Sequence, residues 1–186
     1  MDAPTRMNKV NNNSDGLEEI ENSILDAFIG ISAEYDSLPK PHENRTITWV
    51  TKTIKERIGN IGYENKYEVT SSIHDGEWHY DLVWYKNNKT GNLEKVILSL
   101  ESELSDRNPQ GLNDFEKLLV SNSDYKVWIC FNKGNLNYPE NVNELIQKYD
   151  KAVSSYMNLK LDSRILILIW ADYEAGHIIS HLIIKK

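Results

Sequence analysis

The feature that most limits what this chain can fold into is a change of apolar period after Gly62. Before it, Leu17, Ile20, Ile24, Phe28 and Ile31 recur at helical spacing, and Ile47, Val50, Ile54 and Ile58 do so again. These stripes predict a helix over about Gly16–Asp36, capped by Ser14 or Asp15, and a second over about Glu43–Gly59. Pro39 and Pro41 must separate them, because proline lacks an amide donor and disfavours helical geometry in the residue before it. After Gly62 the period shortens, and strands are expected near Tyr67–Ile73, Trp78–Tyr85 and Lys95–Glu103. Asp75-Gly76 and Asn87–Gly91 supply the turns between them. A helix over about Leu112–Ser121, an apolar strand at Lys126–Phe131, a helix near Val142–Met157 and strands at Arg164–Trp170 and His177–Ile184 follow. A meander succeeded by alternating helices and strands predicts an α/β fold with a mixed central β-sheet flanked by helices. No internal repeat is visible.

With 186 residues, 40% hydrophobic and 26% charged, the chain suits one domain, expected over 15–186. Met1–Ser14 holds four asparagines and little apolar surface, so 1–14 reads as a flexible tail. Cys130 is the single cysteine; it cannot form an internal disulfide and lies in the apolar run Val127–Phe131, as a core thiol would. The longest apolar run, Ile165–Trp170, falls far short of the roughly 20 residues that cross a bilayer, and no basic-then-apolar leader opens the sequence. A cytoplasmic protein with no membrane partner is therefore expected. The formal net charge of −7 opposes non-specific attraction to phosphates, although carboxylates gathered around a cation would also make a site acidic.

Chemistry concentrates in Val96–Glu103. Alternation along a strand places Ile97, Ser99, Glu101 and Glu103 on one face, so two acids stand together where like charges repel. Asp81 lies in Trp78–Trp84 with apolar neighbours on both sides, where an unpaired aspartate is costly. Carboxylates converging from neighbouring strands suit magnesium or manganese, which can polarise a phosphodiester and activate a water. Lys117, on the helix after the acidic strand, could project back to the same place. More ordinary explanations exist: Asp81 paired with a basic neighbour, Glu101 and Glu103 on a solvated strand end, Lys117 pairing with Asp114 at i,i+3.

The order helix, strand, strand with Asp81, strand with Glu101-Ser-Glu103, helix, apolar strand resembles the core of the PD-(D/E)XK nuclease superfamily over about Glu43–Phe131. The resemblance implies a restriction-endonuclease-like core that cleaves nucleic acid with Mg²⁺ or Mn²⁺. It implies Asp81 and Glu101 as metal ligands. Glu103 occupies the family's lysine position, as a further ligand or catalytic acid, and Lys117 is the lysine best placed to substitute. The family's helical glutamate matches Glu43, which continues the Ile47 stripe, whereas Glu56 lies off it. The expectation is thus a metal-dependent nuclease acting on DNA or RNA. The alternative is a nuclease-fold module without catalysis that acts through a protein or nucleic-acid partner; a homodimer is compatible with either.

His177 and His181 share a strand face, but no further histidine or cysteine stands at a zinc spacing. Walker A, dinucleotide, HExxH and GxSxG motifs are absent. Trp84, Trp128 and Trp170 lie in apolar runs and are expected to fill the core.

Overall fold

The computed structural model describes residues 11–12, 16–38, 46–76, 78–104, 112–132, 138–172 and 177–186. Its elements are β1 (Asn11–Asn12), α1 (Glu19–Ser37), α2 (Ile47–Glu64), β2 (Glu68–Ser71), β3 (Leu82–Asn87), β4 (Leu93–Glu103), α3 (Leu112–Val120), β5 (Tyr125–Phe131), α4 (Tyr138–Ser155), β6 (Arg164–Asp172) and β7 (His177–Ile184). The strands form one mixed sheet in the order β1-β7-β6-β5-β4-β3-β2. β2, β3 and β4 make an antiparallel meander, β5 and β6 continue it in parallel, β7 returns antiparallel, and β1 pairs with β7 in parallel. The mixed α/β fold flanked by helices is therefore as the periodicity predicts.

Two separate cores cover the two faces. Phe28, Ile31 and Tyr35 of α1 and Val50, Ile54 and Ile58 of α2 pack on Leu98, Leu100, Val127, Ile129, Leu166, Leu168 and Trp170. Phe115 and Leu118 of α3 and Tyr149 and Val153 of α4 pack on Trp128, Cys130, Ile165, Ile167 and Ile169. β5 and β6 thus read as unbroken apolar runs because neither face meets water. Cys130 is buried, and the Tyr149 hydroxyl donates to its Sγ at 3.7 Å.

Several boundaries differ from the sequence expectation. α1 starts at Glu19, where the Glu21 carboxylate accepts from the Glu18 amide at 2.9 Å, rather than at Gly16. α2 runs past Gly59 to Glu64. A Cβ at Gly62 would lie 2.7 Å from the Trp84 ring, so this glycine permits close helix–sheet packing instead of ending the helix. β3 starts at Leu82, so Trp78–Asp81 is not strand, and Asp81 stands just before it. Within the segment read as a tail, Asn11–Asn12 lies along β7.

Candidate functional site

β4 is the strand on which the site is built. Its residues Leu98 and Leu100 turn to α1 and α2, leaving Ser99 and Glu101 facing α3, and Glu101 pairs across to Trp128 of β5. Glu101 is 4% exposed. Its Oε1 accepts from Lys117 Nζ at 3.3 Å, and Lys117 also contacts Asp114 at 2.8 Å. The buried stripe of Phe115, Leu118 and Leu119 fixes α3 against the sheet and leaves Lys117 at its edge, with its side chain 46% exposed. The aliphatic stem carries the charge around that edge, as expected. The i,i+3 pair with Asp114 forms as well, so Lys117 serves both acids at once.

Burial, and then the nearby Asp81 carboxylate, push Glu101 up to about 7, while Lys117 partly offsets both. The Lys117 ammonium is in turn held above its ordinary value, chiefly by its hydrogen bond to Asp114. Glu101 therefore exchanges its proton near neutrality, unlike an ordinary glutamate.

Asp81 is held differently. Its Oδ2 accepts from the Ser102 amide at 2.8 Å and the Ser102 hydroxyl at 2.7 Å. Its Oδ1 lies 3.2 Å from Lys55 Nζ, which also donates to Ser72 Oγ at 2.9 Å. Lys55 comes from α2 and is almost fully buried. The partner of Asp81 is thus a lysine from the first helical layer, and its carboxylate is drawn to the α2 side of the strand end, while Glu101 faces α3.

Asp81 and Glu101 are close enough to interact electrostatically, and Glu101 and Lys117 touch. Glu103, two residues beyond Glu101, is half-buried. Glu43 lies outside the described residues, and the helix it was expected to extend begins at Ile47. Among the described residues no group of three His, Cys, Asp or Glu side chains is placed to hold a metal ion. The donor chemistry nevertheless fits a hard cation: Glu101 is a buried carboxylate beside a second carboxylate.

Sequence reasoning missed Lys55 and Ser102. Lys55 follows Ile54 of the apolar stripe and reads as its solvated flank; Ser102 reads as the spacer between two acids. A buried partner for Asp81 was required by cost, but its identity depends on the α2–sheet contact. His181 is bonded to Asp150 of α4 at 3.1 Å, so it packs the helix rather than joining His177 in a site. Trp84, Trp128 and Trp170 are fully buried, as expected. Among the described residues no helix is long and apolar enough to cross a membrane.

The sequence matches no family model, and comparison with curated proteins and with solved structures gives no similar chain.

Proposed function

We propose that the chain is a nuclease-like protein of the PD-(D/E)XK type that hydrolyses phosphodiester bonds in DNA or RNA with Mg²⁺ or Mn²⁺. The observation that carries this reading is the 3.3 Å contact of Lys117 with buried Glu101, beside Asp81, at one end of the sheet. The order α2-β2-β3-β4-α3-β5, an antiparallel meander followed by a parallel crossover, supports a restriction-endonuclease-like core.

In this reading Glu101 and Asp81 hold the cation, with Glu103 as a further ligand or catalytic acid. When bound, the cation supplies a more acidic water and charge neutralisation at phosphate. Lys117 replaces the lysine displaced by Glu103: its ammonium is retained by Asp114 and would stabilise charge developing on the phosphoryl oxygens. Lys55 and Ser102 position Asp81 through charge-assisted hydrogen bonds.

The test is cleavage of single- and double-stranded DNA and RNA with Mg²⁺ or Mn²⁺, by wild type and by Asp81→Asn and Glu101→Gln. Metal-dependent cleavage by wild type alone is the expected result; cleavage that survives both substitutions rejects the site.

A second reading is a nuclease-fold module that binds a partner without cutting. It is favoured by the Asp81 oxygens, both already engaged by Ser102 and Lys55. A cation-dependent rise in melting temperature without cleavage of any substrate would select it.

A further inference from the structure

A cavity of about 450 Å³ opens at the opposite end of the same strands, between the loop after α3, the loop after α4 and the first residues of β5 and β6. Its volume falls in the range of small-molecule sites. Lys126 lines it although the residue is only 2% exposed. Lys126 Nζ makes one hydrogen bond, to the Ser123 carbonyl at 2.7 Å, and among the described residues no carboxylate pairs with it. An ammonium has three donors, and burial without a countercharge is costly.

The rest of the lining narrows the ligand. Lys160, exposed at the cavity mouth, donates to the Asn122 side chain and likewise has no carboxylate partner among the described residues. Its charge acts on Lys126, as does, more strongly and in the opposite sense, that of Asp124, so two cations stand at the cavity with one carboxylate near them. The lining acids are engaged or peripheral: Asp124 pairs with Lys95 at 2.6 Å, Glu18 accepts from the Tyr125 hydroxyl and lies 3.5 Å from Arg164, and Asp162 is on the exposed rim. Hydroxyls of Ser121 and Ser123, 2.8 Å apart, stand beside the Lys126 acceptor.

We propose that this cavity is a binding site for a small oxyanion, the phosphate group of inorganic phosphate or of a phosphate monoester. Two unpaired ammonium groups match a dianion, and adjacent hydroxyls can supply further donors. Burial lowers Lys126 to about 8, and an anion seated against it would raise that value again. The proposal is independent of the chemistry assigned to Glu101, because the two ends share no side chain.

The experiment is a titration of the full chain with inorganic phosphate and, separately, with a nucleoside monophosphate, against sodium chloride at equal ionic strength. The side-chain NMR signals of Lys126 and the melting temperature are followed. Saturable binding that shifts the Lys126 signals is expected, weakened about tenfold or more by Lys126→Met, since hydrogen bonds to charged groups are strong. Lys160→Ala, at an exposed position, should weaken it less and still fold. A tighter monoester identifies the organic ligand, and equal affinity identifies free phosphate. No saturable effect beyond that of chloride, or variants that bind like wild type, overturns the site. If Lys126→Met does not fold, the wild-type Lys126 signals and Lys160→Ala decide the question.

Discussion

On one face of the β4–β5 pair, Glu101 is raised to about 7, and Lys126, toward the start of β5, is lowered to about 8. Lys126 pairs across to Ser99, two residues before Glu101, so a short step of strand separates the two groups. In both, burial is the largest cause, and it drives an acid and a base toward the neutral form. They differ in what opposes it. Glu101 has the Lys117 ammonium in contact, but also Asp81 as a like charge, whereas Lys126 has a carbonyl and only the more distant Asp124. Lys55, equally buried, differs from Lys126 in standing 3.2 Å from a carboxylate. Burial alone therefore does not distinguish a structural charge from one arranged for a ligand; the partner does.

The largest expected effect tests whether the acidic end is catalytic. Lys117→Ala should reduce cleavage about a hundredfold to a thousandfold, the usual loss for one group that stabilises transition-state charge. Metal affinity, read by calorimetry, should stay nearly intact, whereas Asp81→Ala should lose both. Equal cleavage by Lys117→Ala and wild type would remove Lys117 from the mechanism.

Breaking the paired lysine comes next. Lys55→Met leaves Asp81 with the donors of Ser102 but without its cation, at a cost of about 2–3 kcal/mol for a largely buried pair. Urea denaturation reads this directly. A neutral or stabilising result would mean that desolvation of Lys55 outweighs its attraction to Asp81.

How much of this was legible follows from which contacts are local. The strand alternation of Ser99 and Glu101, and the helical stripe of Phe115, Leu118 and Leu119, each depend on one element, and they suffice to bring Lys117 to Glu101; Ile97, read onto the same face, instead joins the α1–α2 core, because the β3–β4 register shifts there. The end of α2 was misread because Gly59 and Gly62 look like terminators in isolation; their role depends on His74 and Trp84 packed against them. Lys55 and Ser102 were illegible for the same reason, since the Asp81 pocket joins three elements distant in sequence. The oxyanion cavity left no pattern either: Lys126 opens an apolar strand and looks like its solvated end until the loops close over it.

A third test concerns Glu101 and pH. Its folded value lies above the ordinary 4.5, so the folded state holds a proton that the unfolded state releases. Stability from this group is complete below pH 4.5 and lost as pH rises through about 7. Glu101→Gln removes that loss while keeping an acceptor for Lys117. The variant should be more stable than wild type by about 2–3 kcal/mol at pH 8.5, with little difference at pH 4, in thermal melts without metal. Added Mg²⁺ should narrow the gap by stabilising only the wild type.

The smallest effect comes from Lys126, and its sign is the mirror image. Here the folded value lies below the ordinary 10.5, so the unfolded state binds more protons between about 8 and 10.5, and stability rises with pH across that window. At neutral pH the penalty is complete. Lys126→Met removes it but also loses the bond to the Ser123 carbonyl, worth about 1 kcal/mol or more, so a net gain of about 1–2 kcal/mol is expected at pH 7. The gain should vanish above pH 10.5, where wild-type Lys126 is neutral in both states. Denaturation at pH 7 and pH 10.5 measures the difference. Phosphate should reverse the order at pH 7 by stabilising wild type more than the variant; a variant less stable than wild type at both pH values would instead make Lys126 a structural tie for the loop after α3.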